Sequence, residues 1–460
     1  MKTLLVYPPK ESSYGLPHYP TLGITYLVTV LYEQGWPVEA LDMRLPENNF
    51  NYLEDLLGNY QPDLVGVGST SFDFPGALKV FQAVKKFSPK IKTVLGGPHA
   101  AICTAKLLGE KDIDFIILGE GERELPILLA ALQAKKRVHK IIKADLINDL
   151  DSLPFPKWDL LQLDHYRIHG RLTLPLATSR GCPYQCVYCV SWKTQGRLFR
   201  FRSPQNVVDE IQQNIEKYGA KKFSFLDDNF TLNKPRAMKI CREIIRRKLD
   251  ISWTCDQGIR ADNVDRPLLQ AMKDSGCKLI AIGVESASQD VLDQMQKGEK
   301  VSQIRQTIID AKAVGLTVKA FFIVGGPGDD SKKIRKSIKF FKETGVDIPR
   351  FGIMTAYPGS ALWDWVAKNG HFIGDPYRHI LKSPTASLAV QFETKSFPRR
   401  DRLAAFELAN REAEVWTIRQ KLVKKLGLTL GSILLIPFYL GFFRELLKRI
   451  YRLRLFSLTD

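Results

Sequence analysis

The chain has 460 residues, 45% hydrophobic and 25% charged, a balance that excludes wholesale disorder, a fibrous repeat and a polytopic membrane protein. Lys and Arg number 67 against 49 Asp and Glu, and the formal net charge of +18 points to an anionic partner such as a nucleic acid, a membrane surface or a phosphorylated substrate. The 7 cysteines, an odd number in a long chain, do not suggest a disulfide framework.

The first residues, MKTLLVYPPKE, carry a short apolar run ahead of Pro8-Pro9. That is too short for a secretory signal, so a strand is expected to open the chain and the protein to be cytoplasmic. Short apolar strands then alternate with helical periods: strands at 3–9, 38–42, 63–70, 92–100 and 114–122, helices at 21–35, 77–89 and 123–134. Such alternation predicts βαβ units and a parallel sheet, whose ligands lie at the carboxyl ends of the strands. Ser69-Thr70-Ser71, Gly96-Gly97 and Gly119-Glu120 fall there.

Residues 136–172 hold Pro154, Pro156 and Trp158, show little periodicity and read as a connector. A second series follows, with strands at 172–182, 222–228, 251–257, 278–286, 318–329 and 349–359 and helical periods at about 204–218, 235–248, 265–275, 302–314 and 331–344. Six such units cannot close an eight-fold barrel but suit an open, partial (β/α)6 barrel. Residues 400–425 read as a charged amphipathic helix. Residues 426–443 carry no charge, near the lower limit of a membrane span, and 444–456 mix Leu, Ile and Phe with Arg and Lys. That composition predicts peripheral or monotopic contact with an anionic membrane surface at its inner face.

The sharpest motif is Cys182-Pro-Tyr-Gln-Cys186-Val-Tyr-Cys189. Thiolates are soft ligands for zinc or an Fe–S cluster. A structural zinc site wants four ligands, and Cys103, Cys241, Cys255 and Cys277 are scattered. The loop, with an aromatic residue before its last cysteine, resembles the radical S-adenosylmethionine (SAM) superfamily. Asp227-Asp228-Asn229-Phe230-Thr231, Gly283-Val284-Glu285-Ser286, Gly325-Gly326-Pro327-Gly328-Asp329 and Tyr357-Pro358-Gly359 follow in the family's order. The resemblance implies a [4Fe–4S] cluster on Cys182, Cys186 and Cys189, whose free iron binds SAM. It implies SAM contacts from Tyr188, Asp227, Asp228, Glu285, Gly325 and Gly326.

Residues 1–135 resemble the cobalamin-binding domain that precedes some radical SAM cores, through YPTLGITYLVTVLYEQGWPVEALD, PDLVGVGSTSFD, VLGGPHA and ILGEGERELP. Cobalamin contacts are then implied for Ser69, Thr70, Ser71, Gly96, Gly97, Gly119 and Glu120. The Asp-x-His-x-x-Gly ligand loop of many cobalamin proteins is absent, so no protein histidine is expected as the lower cobalt ligand. His18 and His99 read as surface or supporting residues.

The fold class is therefore α/β: a Rossmann-like cobalamin-binding domain (1–140), a linker (141–171), a partial (β/α)6 radical SAM barrel (172–375), a helical extension (376–425) and a basic apolar membrane-associating tail (426–460). The expected cofactors are the [4Fe–4S] cluster, SAM and cobalamin. The expected function is C-methylation of an unactivated carbon in an apolar lipid or natural product. The alternative is an oxidative cyclase or another non-methylating reaction. A tRNA methylthiotransferase would need cluster cysteines that the first 181 residues, with Cys103 alone, do not supply. A non-catalytic cobalamin or Fe–S sensor would not need strand-end turns fitted to SAM. Expected partners are a small-molecule or lipid substrate, an electron donor of the flavodoxin or ferredoxin type and the membrane surface, with no nucleic acid. Tyr357, Trp363, Trp365, His371 and His379 are candidates to line the substrate pocket, with core packing as the alternative for each.

Overall fold

A computed structural model describes residues 1–10, 17–382 and 390–426. The N-terminal strands are β1 (Thr3–Tyr7), β2 (Val38–Asp42), β3 (Leu64–Gly68), β4 (Lys92–Gly96), β5 (Phe115–Leu118) and β6 (Ile141–Lys143). They form one parallel sheet in the order β2-β1-β3-β4-β5-β6. Successive side chains point to opposite faces, and both faces are apolar because both are covered. Leu4, Val6, Val65 and Val67 pack against α2 (Phe50–Tyr60) and α3 (Phe74–Phe87). Leu5, Leu64, Val94 and Ile117 pack against α1 (Leu22–Glu33) and α5 (Gly121–Gln133).

Three elements here differ from the sequence reading. Helix α2 buries only Leu53 and Leu57, a stripe too thin to stand out. The strand read over 92–100 ends at Gly96, and Pro98 opens helix α4 (Pro98–Leu107) at the first position, where the missing N–H costs nothing. The connector begins with β6, which extends the first sheet rather than leaving it.

The second domain has six parallel strands, β7 (Arg171–Leu176), β8 (Lys222–Phe225), β9 (Ser252–Ile259), β10 (Cys277–Glu285), β11 (Thr317–Val324) and β12 (Ile348–Ile353), paired in sequence order. Helices Pro204–Tyr218, Lys234–Arg246, Arg266–Asp274, Val301–Ala313 and Ser331–Thr344 lie between them. Strand alternation divides the side chains. Val318, Ala320, Phe322 and Val324 of β11 pack against the helices, while Thr317, Lys319, Phe321 and Ile323 face the concave side, the lumen of an open barrel. Helix Arg399–Leu426 closes the outer layer. It buries Ala405, Ala409 and Ala413 in the barrel core, and Trp416 Nε1 donates to Val346 O at 2.6 Å.

The first domain is joined to the linker by polar contacts, and its Leu45 is buried in the barrel core. Tyr166 Oη donates to Asp42 Oδ2 at 2.5 Å, Asn48 Nδ2 to Gln162 Oε1 at 2.8 Å, and Lys157 N to Thr29 Oγ1 at 2.9 Å. Among the described residues no helix is long and apolar enough to cross a membrane. The tail expected to touch a membrane lies, from residue 427 on, outside the described residues.

Candidate active site

The cysteine loop follows β7 and is held by its backbone. Val187 N donates to Met295 O at 3.0 Å and Leu362 N to Val187 O at 2.8 Å, which ties the loop to the far side of the barrel. Gly181 has φ +84°, and a Cβ there would lie 2.2 Å from Leu198 O, so the approach to Cys182 requires glycine. Cys182, Cys186 and Cys189 are free and half-buried, unlike the buried Cys103, Cys241, Cys255 and Cys277. Burial pushes the Cys182 and Cys186 thiols up, and the cations of Lys297 and Arg260 pull Cys186 the other way.

Those two cations belong to a network that the sequence did not reveal. A bulge between Gly283 and Glu285 puts Glu285 at φ +58°. Its Oε1 accepts from Tyr188 Oη at 3.0 Å and from Lys297 Nζ at 3.1 Å. Lys297 reaches Glu299 at 3.3 Å, and Arg260 donates to Lys297 O at 2.7 Å. Burial alone would depress the Lys297 ammonium, but Glu285 and Glu299 raise it above its ordinary value. A Cβ at Gly283 would meet Glu285 Oε1 at 2.6 Å, so the glycine makes room for the pair. Lys297 and Glu299 follow a short helix and carry no motif by which spacing would single them out.

The acidic pair divides its labour. Asp227 is buried and accepts from Thr178 N at 2.7 Å, Thr178 Oγ1 at 2.5 Å and Ser179 Oγ at 2.6 Å. These bonds fix the β7–β8 strand ends and engage both oxygens, Oδ2 twice and Oδ1 once. Asp227 thus holds the two strand ends together, and both of its oxygens already have protein partners. Asp228 keeps a buried Oδ2 with no partner among the described residues, beside Cys182 and Ser191. Burial, then the Asp227 charge, raises its carboxyl. An acceptor left open next to Cys182 fits the ammonium of a ligand seated at the cysteine loop.

Gly325 and Gly326 are buried in the turn after β11. Gly325 N donates to Asp329 Oδ2 at 2.8 Å, Gly325 O accepts from Arg402 at 2.8 Å, and a Cβ at Gly326 would meet Met295 at 2.1 Å. Both positions pack against protein.

A cavity of about 500 Å³ lies between the two domains. The first domain lines it with Ser69, Thr70, Gly96, Gly97, Gly119 and Glu120, at the point where the order β2-β1-β3 reverses direction. The barrel lines it with Ala177, Ser179, Arg180, Gln195, Leu226 and Gln257. Gly97 has φ +90°, and a Cβ there would lie 2.9 Å from Ser69 O; Ser69 Oγ is buried without a partner among the described residues. A smooth glycine wall with an open hydroxyl suits a large flat ligand. Ser71 does not line the cavity: its Oγ bonds His99 Nδ1 at 3.1 Å. His99 stacks on Phe74 at 3.9 Å, and burial lowers it to about 4, so it is a neutral packing residue. His18 is exposed, and neither histidine lines the cavity.

Glu120 lines the cavity and also clamps the domains. It accepts from Ile147 N at 2.6 Å and Arg200 at 2.8 Å and lies 3.2 Å from Arg180, which also pairs with Glu122 at 2.6 Å. Burial would raise this carboxyl, but Arg200 and Arg180 hold it below its usual range.

A second cavity of about 230 Å³ is lined by Phe72, Tyr188, Ile323, Gly352, Tyr357 and His379, among others. It brings two of the five pocket candidates to the cysteine loop. Trp363 instead packs on Phe372 at 4.6 Å, Trp365 packs against the cluster of Val187 and Leu362, and His371 pairs with Glu393 at the surface.

Residues 176–341 match the family model described as the radical SAM superfamily, and residues 16–129 that of the B12 binding domain. An uncharacterized methyltransferase of Pyrococcus horikoshii is 33% identical over 387 residues, covering 80% of this chain and 84% of that protein. The anaerobic magnesium-protoporphyrin IX monomethyl ester cyclase of Rubrivivax gelatinosus is 26% identical, covering 79% and 69%. Among solved structures, the radical SAM methyltransferase TsrM of Kitasatospora setae, with cobalamin and a [4Fe–4S] cluster bound, superposes with a TM-score of 0.72 at 16% identity, over 90% of this chain and 89% of that one. That last likeness is one of fold.

Proposed function

The chain belongs to the radical SAM enzymes that carry a B12-binding domain, and from that premise we propose that it methylates a carbon of a small molecule, using SAM, a [4Fe–4S] cluster and cobalamin. The observation that carries this reading is the cavity lined jointly by the strand ends of both domains, next to the cysteine loop. Bound there, these groups supply a carbon radical generated from SAM and a methyl group carried on cobalt.

The residues of the chain would act as follows. Cys182, Cys186 and Cys189 hold the cluster, with the Lys297 and Arg260 cations offsetting thiolate charge. Asp228 receives the ammonium of SAM on its open oxygen. Glu285, fixed by Lys297 and Tyr188, presents its edge of the barrel to the bound nucleoside. Ser69, Thr70, Gly96, Gly97 and Gly119 cradle the cobalamin. The Glu120–Arg200–Arg180 clamp shuts the domains over the site and excludes water from it. An apolar substrate presented at a membrane surface is supported by the composition of residues 426–460, and an electron donor of the flavodoxin or ferredoxin type by the need for one-electron reduction.

The test is anaerobic reconstitution with iron, sulfide and hydroxocobalamin, followed by desalting. About one cobalamin and about four irons per chain are expected. The triple alanine variant of the three cysteines should retain the cobalamin and lose the iron. Extracts incubated with methyl-labelled SAM should then gain one CH2 in mass. A product that instead loses hydrogen or gains oxygen would establish the cyclase alternative, and iron without retained cobalamin would end the proposal.

A further inference from the structure

The lumen of the barrel holds a cation that none of the roles above uses. Lys319 points from β11 into the lumen, opposite Ala281 of β10. Its side chain is one-quarter exposed, and among the described residues its ammonium has no hydrogen bond. Its nearest anion is Asp256 Oδ1 at 3.9 Å, whose other oxygen already accepts from Thr254 Oγ1 at 2.6 Å. Arg350, paired with Phe321 across β12, adds a second positive charge felt at Lys319. Burial and that neighbour both lower the Lys319 ammonium, and Asp256 opposes them only in part. A half-buried cation with one distant counter-ion gains by meeting a second anion.

The surroundings leave room for one. The small Ala281 stands opposite Lys319 on the neighbouring strand, and at the far end of the same face a Cβ at Gly352, paired with Ile323, would meet nothing within 4 Å. Down the same face of β11, Ile323 opens into the cavity shared with Tyr188, Tyr357 and His379. Four residues of strand separate Lys319 from Ile323, about 13 Å.

We propose, resting on the methyl-transfer reading, that Lys319 recognises an anionic group of the substrate, a carboxylate or a phosphate. The substrate then lies along β11, with its charged end at Lys319 and its reacting carbon about 13 Å away, beside Tyr188. Asp256 holds the ammonium in place in the absence of substrate and limits how tightly an anion binds.

The test titrates the reconstituted holoenzyme by calorimetry with inorganic pyrophosphate and, separately, with succinate. A saturable site is expected for at least one of them, and which one assigns phosphate or carboxylate. Lys319→Gln should weaken it about tenfold or more, Lys319→Arg should keep it, and Asp256→Asn should tighten it. The Asp256→Asn arm is a gain and so does not depend on how well Lys319→Gln folds. No heat with either anion, or equal binding by wild type and Lys319→Gln, overturns the inference. Formation of 5′-deoxyadenosine from SAM by the same preparation reports on the enzyme reading separately. Cleavage without an anion site removes only Lys319's role, whereas an anion site without cleavage removes the reaction and leaves the site standing.

Discussion

Replacing Arg200 with Met should loosen the joint between the two domains, and the structure sets the size of the effect. The Arg200 side chain is 3% exposed and Glu120 is 5% exposed. Arg200 donates to Glu120 Oε2 at 2.8 Å, Ile147 O at 2.7 Å and Gln195 O at 2.7 Å. Breaking a buried pair from one side costs about 3–5 kcal/mol. Glu120 would still have Arg180 at 3.2 Å and Ile147 N at 2.6 Å, so the low end applies, about 3 kcal/mol. For a cooperative unit of about 150–250 residues, that lowers Tm by about 6–12 °C.

The pH dependence has a definite sign. The folded Glu120 carboxyl lies below its ordinary 4.5, so its contribution is complete above about 4.5 and is lost as pH falls through the lower folded value. Without Arg200, burial raises the group and this contribution shrinks. The deficit should be largest at neutral pH and should narrow at the lowest pH where both chains fold. Urea titration of the apo chains, followed by tryptophan fluorescence, measures it. A deficit under about 1 kcal/mol at pH 7, or one that does not narrow on acidification, would refute the clamp.

Three further perturbations follow from single contacts. Gly97→Ala forces a Cβ to 2.9 Å from Ser69 O at a left-handed φ, and should cut cobalamin retention about tenfold or more and stability by about 1–2 kcal/mol, read by visible spectrum and thermal melt. Asp227→Asn should lower Tm, because an amide has one acceptor oxygen for three donors, whereas Asp228→Asn should leave Tm in place and weaken SAM binding; equal effects of the two on SAM affinity would merge roles that the structure separates. His99 is lowered from 6.5 to about 4, so the unfolded chain binds its proton first and stability falls as pH drops from about 6.5 to 4, by about 3 kcal/mol in total; His99→Phe should flatten that window without altering the cobalamin spectrum.

The sequence by itself determined the architecture and the chemistry class. A continuous apolar run at Thr3–Tyr7 and a run buried at alternate positions at Thr317–Val324 mark strands, because a sheet covered on both sides or on one leaves its mark on each side chain. The 182–189 spacing singles out the candidate metal ligands, because three thiolates on one loop need no distant partner. Local rules also reach helix ends such as Gly219 and Gly345, both left-handed caps.

What depends on residues far apart in the chain was decided only in three dimensions. Asp227 and Asp228 are neighbours in sequence with opposite surroundings, since Thr178 and Ser179 reach one and not the other. Ser71 and His99 turn inward to each other, 28 residues apart, instead of lining the cavity. Glu120 meets Arg200 across 80 residues, Tyr188 meets Glu285 across 97, and Lys319 is left half-buried beside a single distant carboxylate. Charge balance in a buried site is a sum over every group within a few ångströms, and that sum does not exist until the chain has folded.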